Sequence, residues 1–174
     1  MAIPSLRRIE LLLAAALWTC AAAAHAQSSL ANLCRLLPVA QLETLFGAKA
    51  GAPVGSDLLP NIGNCSVQFG DAMHIAILST ASLVGQNGVK NEDRIKIGLK
   101  MMEQSNRPKP KAEYQFFGDV VCAVEPLDRP GFMQTICMTD RGPRQFNLLV
   151  RSDNPKQRGV EDARRLLQAV VATA

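Results

Sequence analysis

Histidine and the large aromatics are scarce in this chain, with two histidines, one tryptophan and one tyrosine. His25 and Trp18 lie in the first 26 residues, so His74 is the one histidine beyond them. That argues against zinc sites built on several imidazoles and against a Ser-His-Asp centre with a choice of base. No C-x-x-C pair occurs, which argues against a thioredoxin-like redox role and a cysteine zinc site. No G-x-S-x-G precedes a helix, and Gly85-Gln86-Asn87-Gly88 lacks the Lys-Ser/Thr of a phosphate-cradling loop. With so few aromatics, stacking on bases or sugars falls to Tyr114 and the phenylalanines, most of which a core needs. Charge is also modest, at +4 for the whole chain, and makes no case for a nucleic-acid partner.

Long apolar runs are missing too, except at the start. Leu11 to Ala24 is apolar and small apart from Thr19. Arg7 and Arg8 precede it, and Ala24-His25-Ala26 follows as an A-x-A site before Gln27. Residues 1–26 therefore read as a secretory signal peptide. The run is shorter than the ~20 residues of a membrane span, and none is expected later. Leu17-Trp18-Thr19-Cys20 offers a rival lipoprotein cut, but Trp18 and Thr19 suit its small-residue box poorly. A lipid anchor at Cys20 is accordingly disfavoured. Cleavage after Ala26 removes two of 19 basic and one of 15 acidic residues and leaves a charge of about +3. Residues 27–174 are expected to form a single domain in the periplasm or outside the cell.

Export decides how the cysteines are read. Cys34, Cys65, Cys122 and Cys137 remain, an even count that suggests two disulfides with three possible connectivities. A hairpin turning at Asp128-Arg129-Pro130-Gly131 places Leu127 opposite Phe132 and therefore Cys122 opposite Cys137. Elimination then pairs Cys34 with Cys65.

The elements follow from periodicity. Val39, Leu42, Leu45 and Phe46 give one helical face, with Pro38 in the first turn and Gly47 after the last. Residues 48–63 read as a loop with an edge strand near Val54. Cys65–Phe69 and the more continuously apolar Met73–Leu78 read as a hairpin. Ile95, Gly98, Leu99 and Met102 make a helical stripe, but Ile95, Ile97, Leu99 and Met101 also alternate. Length and the many Glu and Lys favour helix. Strands are expected at 114–117, 120–125, 132–139 and 144–151. A closing helix from about Pro155, capped by Asn154, carries Val160, Ala163, Leu166, Leu167, Val170 and Val171 on one side. The architecture is α+β: an antiparallel sheet with amphipathic helices packed on one face, stapled by two disulfides.

Cys34-Arg35-Leu36-Leu37, a helix ending Leu45-Phe46-Gly47, and Cys65 opening a strand resemble the start of a broad group of small exported bacterial proteins and lipoproteins. The resemblance implies an α+β periplasmic domain with a Cys34–Cys65 disulfide. It implies no catalytic residue, and Cys122 and Cys137 lie outside its pattern.

The remaining chemistry candidates have plainer readings. His74 on a strand is expected to pack with Ala76 and Leu78 or to face solvent. Asp119, Glu125, Asp140 and Asp153 could pair for glycosidase-type chemistry, but Asp128 and Asp140 suit turns. Met73-His74, Met101-Met102, Met133 and Met138 could offer soft copper ligands, and core packing explains them better. The basic stretch Lys90–Lys111 reads as a solvated face, with an anionic surface as the sharper option. The sequence thus points to a binding or accessory protein with an unknown protein or small-molecule partner and no cofactor. A small carboxylate hydrolase drawing on Asp119–Asp153 is the second reading.

Overall fold

The computed structural model describes residues 33–59, 62–70, 73–83, 88–105, 111–153 and 156–174. The proposed signal peptide and the expected Asn154-Pro155 helix start lie outside them. A helical turn at residues 33–36 leads into α1 (Val39–Phe46), β1 (Val54–Leu59), β2 (Ile62–Phe69) and β3 (His74–Ser82). Then come α2 (Asn91–Gln104), β4 (Glu113–Phe117), β5 (Val120–Pro126), β6 (Met133–Arg141), β7 (Arg144–Ser152) and α3 (Lys156–Thr173). The strands form one antiparallel sheet in the order β1-β2-β3-β7-β6-β5-β4. The α+β architecture read from the sequence is the one observed.

Local chemistry accounts for the punctuation. Gly47 follows α1 with φ of 63°, a left-handed conformation that relieves the last carbonyls and that a Cβ would disfavour. At the β5–β6 turn, the Leu127 N–H donates to the Phe132 carbonyl at 3.0 Å, and Gly131 takes φ of 82°. In α2, Glu92 and Asp93 occupy the first turn, where the helix dipole favours negative charge.

The strand register sorts side chains onto two faces. The first face carries Cys65, Val67, Ala76, Leu78, Leu148, Val150, Cys137, Cys122 and Val124, all buried. Helix α1 seals one part with Leu42 and with Phe46, whose ring lies 4.7 Å from that of Phe69. Helix α3 seals the rest with Val160, Ala163, Leu166, Leu167 and Val170, each buried in the same core. Full burial of such side chains stabilises the fold by about 1.5–3 kcal/mol apiece.

The helices do not all share that face. Helix α2 packs on the second, against β5 and β6. There Val121 and Ala123 are buried, and the Asn91 amide donates to the Met138 carbonyl at 3.1 Å. The helical stripe Ile95, Gly98, Leu99 and Met102 is half-buried, while Ile97 and Met101 are 55% and 64% exposed. This outcome selects helix over strand for that segment. The single-face expectation therefore holds for α1 and α3 and is corrected for α2. The reason is that β5 is apolar on both faces, so its second face needed a cover.

Candidate functional site

The four cysteines serve structure. Cys122 and Cys137 face each other with Cα atoms 4.0 Å apart and are bonded, and Cys34 is bonded to Cys65 over 5.2 Å. Both pairings match the expected connectivity. Cys65, Cys122 and Cys137 are fully buried.

His74 sits on the first face with Ala76 and Leu78. Its ring lies 5.5 Å from that of Phe46 and 5.3 Å from that of Phe132, and its Nε2 is 3.3 Å from Asp153 Oδ1. Asp153 is itself 62% exposed. The imidazole is a packed edge of the aromatic cluster that joins α1 to the β5–β6 turn. The methionines also scatter: Met133 packs against the core, Met138 lies on the second face, and Met101 is exposed. Among the described residues, no three His, Cys, Asp or Glu side chains gather where they could hold a metal ion.

Of the candidate acids, some are far apart and two meet. Asp119 and Glu125 bracket β5, about 20 Å apart along the strand. Asp140 and Asp153 lie at opposite ends of β7, further apart still. Glycosidase carboxylates stand within about 5–9.5 Å. The fold instead brings Asp119 and Asp140 to one cleft of about 380 Å³, beside Leu83, Val89, Asn91 and Arg94.

A polar network closes the floor of that cleft. Arg94 Nη2 donates to both oxygens of Asp140 at 2.7 Å, and Arg94 Nη1 donates to the Val89 carbonyl at 2.8 Å. The Gln145 amide donates to Asn91 Oδ1 at 3.2 Å, and Asn91 is only 5% exposed. Arg94 thus fixes the N-terminal turn of α2 to the β6–β7 hairpin, and the Asp140 carboxylate is occupied.

From this cleft an apolar trough runs along the second face. Register places Ile77, Leu149 and Ile136 side by side across β3, β7 and β6. Ile75 and Met138 flank that row, and all five are half-buried. The outer strands of the three lie about 10 Å apart. The neighbouring rows are mixed: Ser79, Asn147 and Met138 on the cleft side, and Ile75, Arg151 and Gln134 on the other. Arg94 brings one flank of α2 to this face through Asp140, and Ile97 and Met101 on that flank are exposed. Its opposite flank is held at the edge strand, where the Lys96 ammonium lies 5.3 Å from the Phe116 ring centroid. Among the described residues, α2 is the helix on this face, and it packs mainly on β5 and β6.

The trough was not identified in the sequence. The available signal was the unbroken apolar run of Met73–Leu78 and the doublet Leu148-Leu149, since a strand covered on one face alternates. The cleft draws on Lys90 and Arg94 from the basic stretch, and on Asp119 and Asp140 from the candidate acids.

No family model and no curated protein matches the chain. Among solved structures, it is similar to the extracellular domain of PknH from Mycobacterium tuberculosis, with 11% identity over 83% of this chain and 95% of that one, at a TM-score of 0.49.

Proposed function

We propose that the protein works outside the cytoplasm as a non-enzymatic binding domain, and that its ligand or partner occupies the trough on the second face. The observation that carries this reading is the asymmetry of the sheet. One face is sealed by α1 and α3 and stapled twice, while the other holds a half-buried stripe of Ile75, Ile77, Ile136, Met138 and Leu149 beside an α2 with exposed Ile97 and Met101. An apolar stripe rimmed by polar groups is a binding feature more often than a structural one. Export is supported by the signal-like residues 1–26 and by two formed disulfides, which persist in oxidising compartments. The opening Cys34-Arg35-Leu36-Leu37 and its resemblance to small exported proteins favour the same compartment. Among the described residues no helix is long and apolar enough to cross a membrane.

The carboxylate-hydrolase reading has weaker support. Asp119 and Asp140 share the cleft, yet both Asp140 oxygens accept from Arg94, which leaves that carboxylate poorly placed to pass a proton.

The test compares wild type with Leu149→Lys, which puts a charge in the stripe without touching the sealed core. Wild-type protein is expected to retain a specific envelope component or to gain thermal stability from a small molecule, and the variant to lose that response. Equal responses from the two would place binding elsewhere. Mass spectrometry of exported protein should show an N-terminus at Gln27 with no lipid.

A further inference from the structure

The polar group at the open end of the trough specifies what kind of ligand it suits. Arg151 stands in the row next to Leu149 on the second face and is half-buried. Its Nε donates to Gln134 Oε1 at 2.8 Å. Among the described residues, no carboxylate lies within 4 Å of its guanidinium, unlike that of Arg94, whose charge Asp140 neutralises. Asp153, two residues on, is turned to His74 at the first face. Glu125 is at the same level but two strands away, about 10 Å, beyond Gln134. A partly desolvated guanidinium with one neutral partner keeps most of its donors for an anion and favours planar, bidentate oxyanions.

Beyond Arg151 the floor turns apolar at once. Leu149 is flanked by Ile77 and Ile136, and the strand pair continues to Asn147 and Met138. The apolar row runs across the strands, about 10 Å from Ile77 to Ile136, and along β7 it gives way to Asn147 and Gln145. Ile97 and Met101 are exposed on α2. Arg151 on one side of the apolar row and the neutral Ser79 and Asn147 on the other give the site a direction.

We infer that the trough binds a single-chain anionic amphiphile, such as a fatty carboxylate, with its head on Arg151 and its chain along the Ile77–Leu149–Ile136 row. This rests on the trough being the binding site proposed above, and it goes further by assigning the ligand's charge, shape and orientation. The apolar chain supplies burial, and the Arg151 contact selects an anion over a neutral chain of equal length.

The test is calorimetric titration of the full protein with sodium decanoate and, separately, with 1-decanol. Decanoate is expected to bind one to one and at least tenfold more tightly than decanol. Arg151→Gln should erase that preference by weakening decanoate at least tenfold and leaving decanol unchanged. Arg151→Lys should restore part of it. Leu149→Asn should weaken both ligands, and Lys100→Gln, on the exposed side of α2, neither. Melting curves verify that each variant is folded. Equal binding of decanoate and decanol, unaffected by Arg151→Gln, overturns the head-group assignment while leaving the trough as a site. If neither binds but Leu149→Lys still abolishes capture of an envelope component, the amphiphile is overturned and the binding reading stands. If neither binds and Leu149→Lys changes nothing, both fall. Flotation with phosphatidylglycerol vesicles in the absence of decanoate binding would assign Arg151 to a membrane surface and overturn the single-chain ligand.

Discussion

Arg94 on α2 and Asp140 on β6 are joined by two contacts of 2.7 Å from one guanidinium nitrogen, across 46 residues of sequence. Their side chains are 16% and 27% exposed, so the pair is shielded from solvent more than a surface ion pair is. This contact holds α2 on the second face, beside the trough.

Asp140→Asn should therefore cost about 1–3 kcal/mol, because Arg94 would keep its partial burial and lose its charge partner. Urea unfolding measures this. A double-mutant cycle with Arg94→Gln should show a coupling energy of at least 0.5 kcal/mol, and strict additivity would mean the pair does not anchor the helix.

Replacing both Cys122 and Cys137 by serine should destabilise the fold by about 3 kcal/mol on loop-closure grounds. The fully buried Cys122–Cys137 bond should also resist dithiothreitol in native protein, while partly accessible Cys34 lets its bond with Cys65 open first. Mass mapping after timed reduction and alkylation reads the order. Simultaneous loss would show that reduction follows global unfolding.

Gly47→Ala should cost about 1 kcal/mol. The space around an added Cβ is empty within 4 Å, so the penalty is that of the left-handed backbone at φ +63° alone. Gly98→Ala is the contrast. Its φ is ordinary, nothing meets its Cβ, and it lies within α2, so it should stabilise the protein. Chemical denaturation that ranked both as harmful would point to a different conformation for α2.

The pH response has one readable component in α1. The backbone N–H of Ala50 donates to Glu43 at 2.9 Å, and with the Lys49 ammonium it holds the carboxyl below its ordinary value of 4.5. A lowered folded-state pKa means that the Glu43 contribution is complete above pH 4.5 and fades as pH falls through the lowered value. Glu43→Gln should thus flatten the acid limb of stability against pH and change little near neutrality beyond a constant offset. An unchanged acid limb would show that Glu43 does not contribute.

Much of the strand plan could be read locally. The turn at Asp128–Gly131 spans few residues, so its register, and with it the Cys122–Cys137 bond, followed from counting. Helix α3 was equally legible, since its apolar stripe is long and regular. For α2 the two stripes overlapped, and intrinsic preference left Ile97 and Met101 undecided. Packing against Val121 and Ala123 settled their exposure. For the site, the residues were visible and their meeting was not. Asp119 and Asp140 looked like two of several acids, and Arg151 like one more surface cation.

The sequence alone indicated the pairing of its four later cysteines and the helices that cover the core, because each depends on periodicity or on a short span of chain. Only the tertiary structure decided that the sheet has one sealed face and one part-open face. Which rows of Ile75, Ile77, Leu149 and Ile136 stay half-exposed depends on where α2 docks. That depends on contacts such as Arg94 to Asp140, between residues far apart in the chain, and local pattern carries no information about such distances.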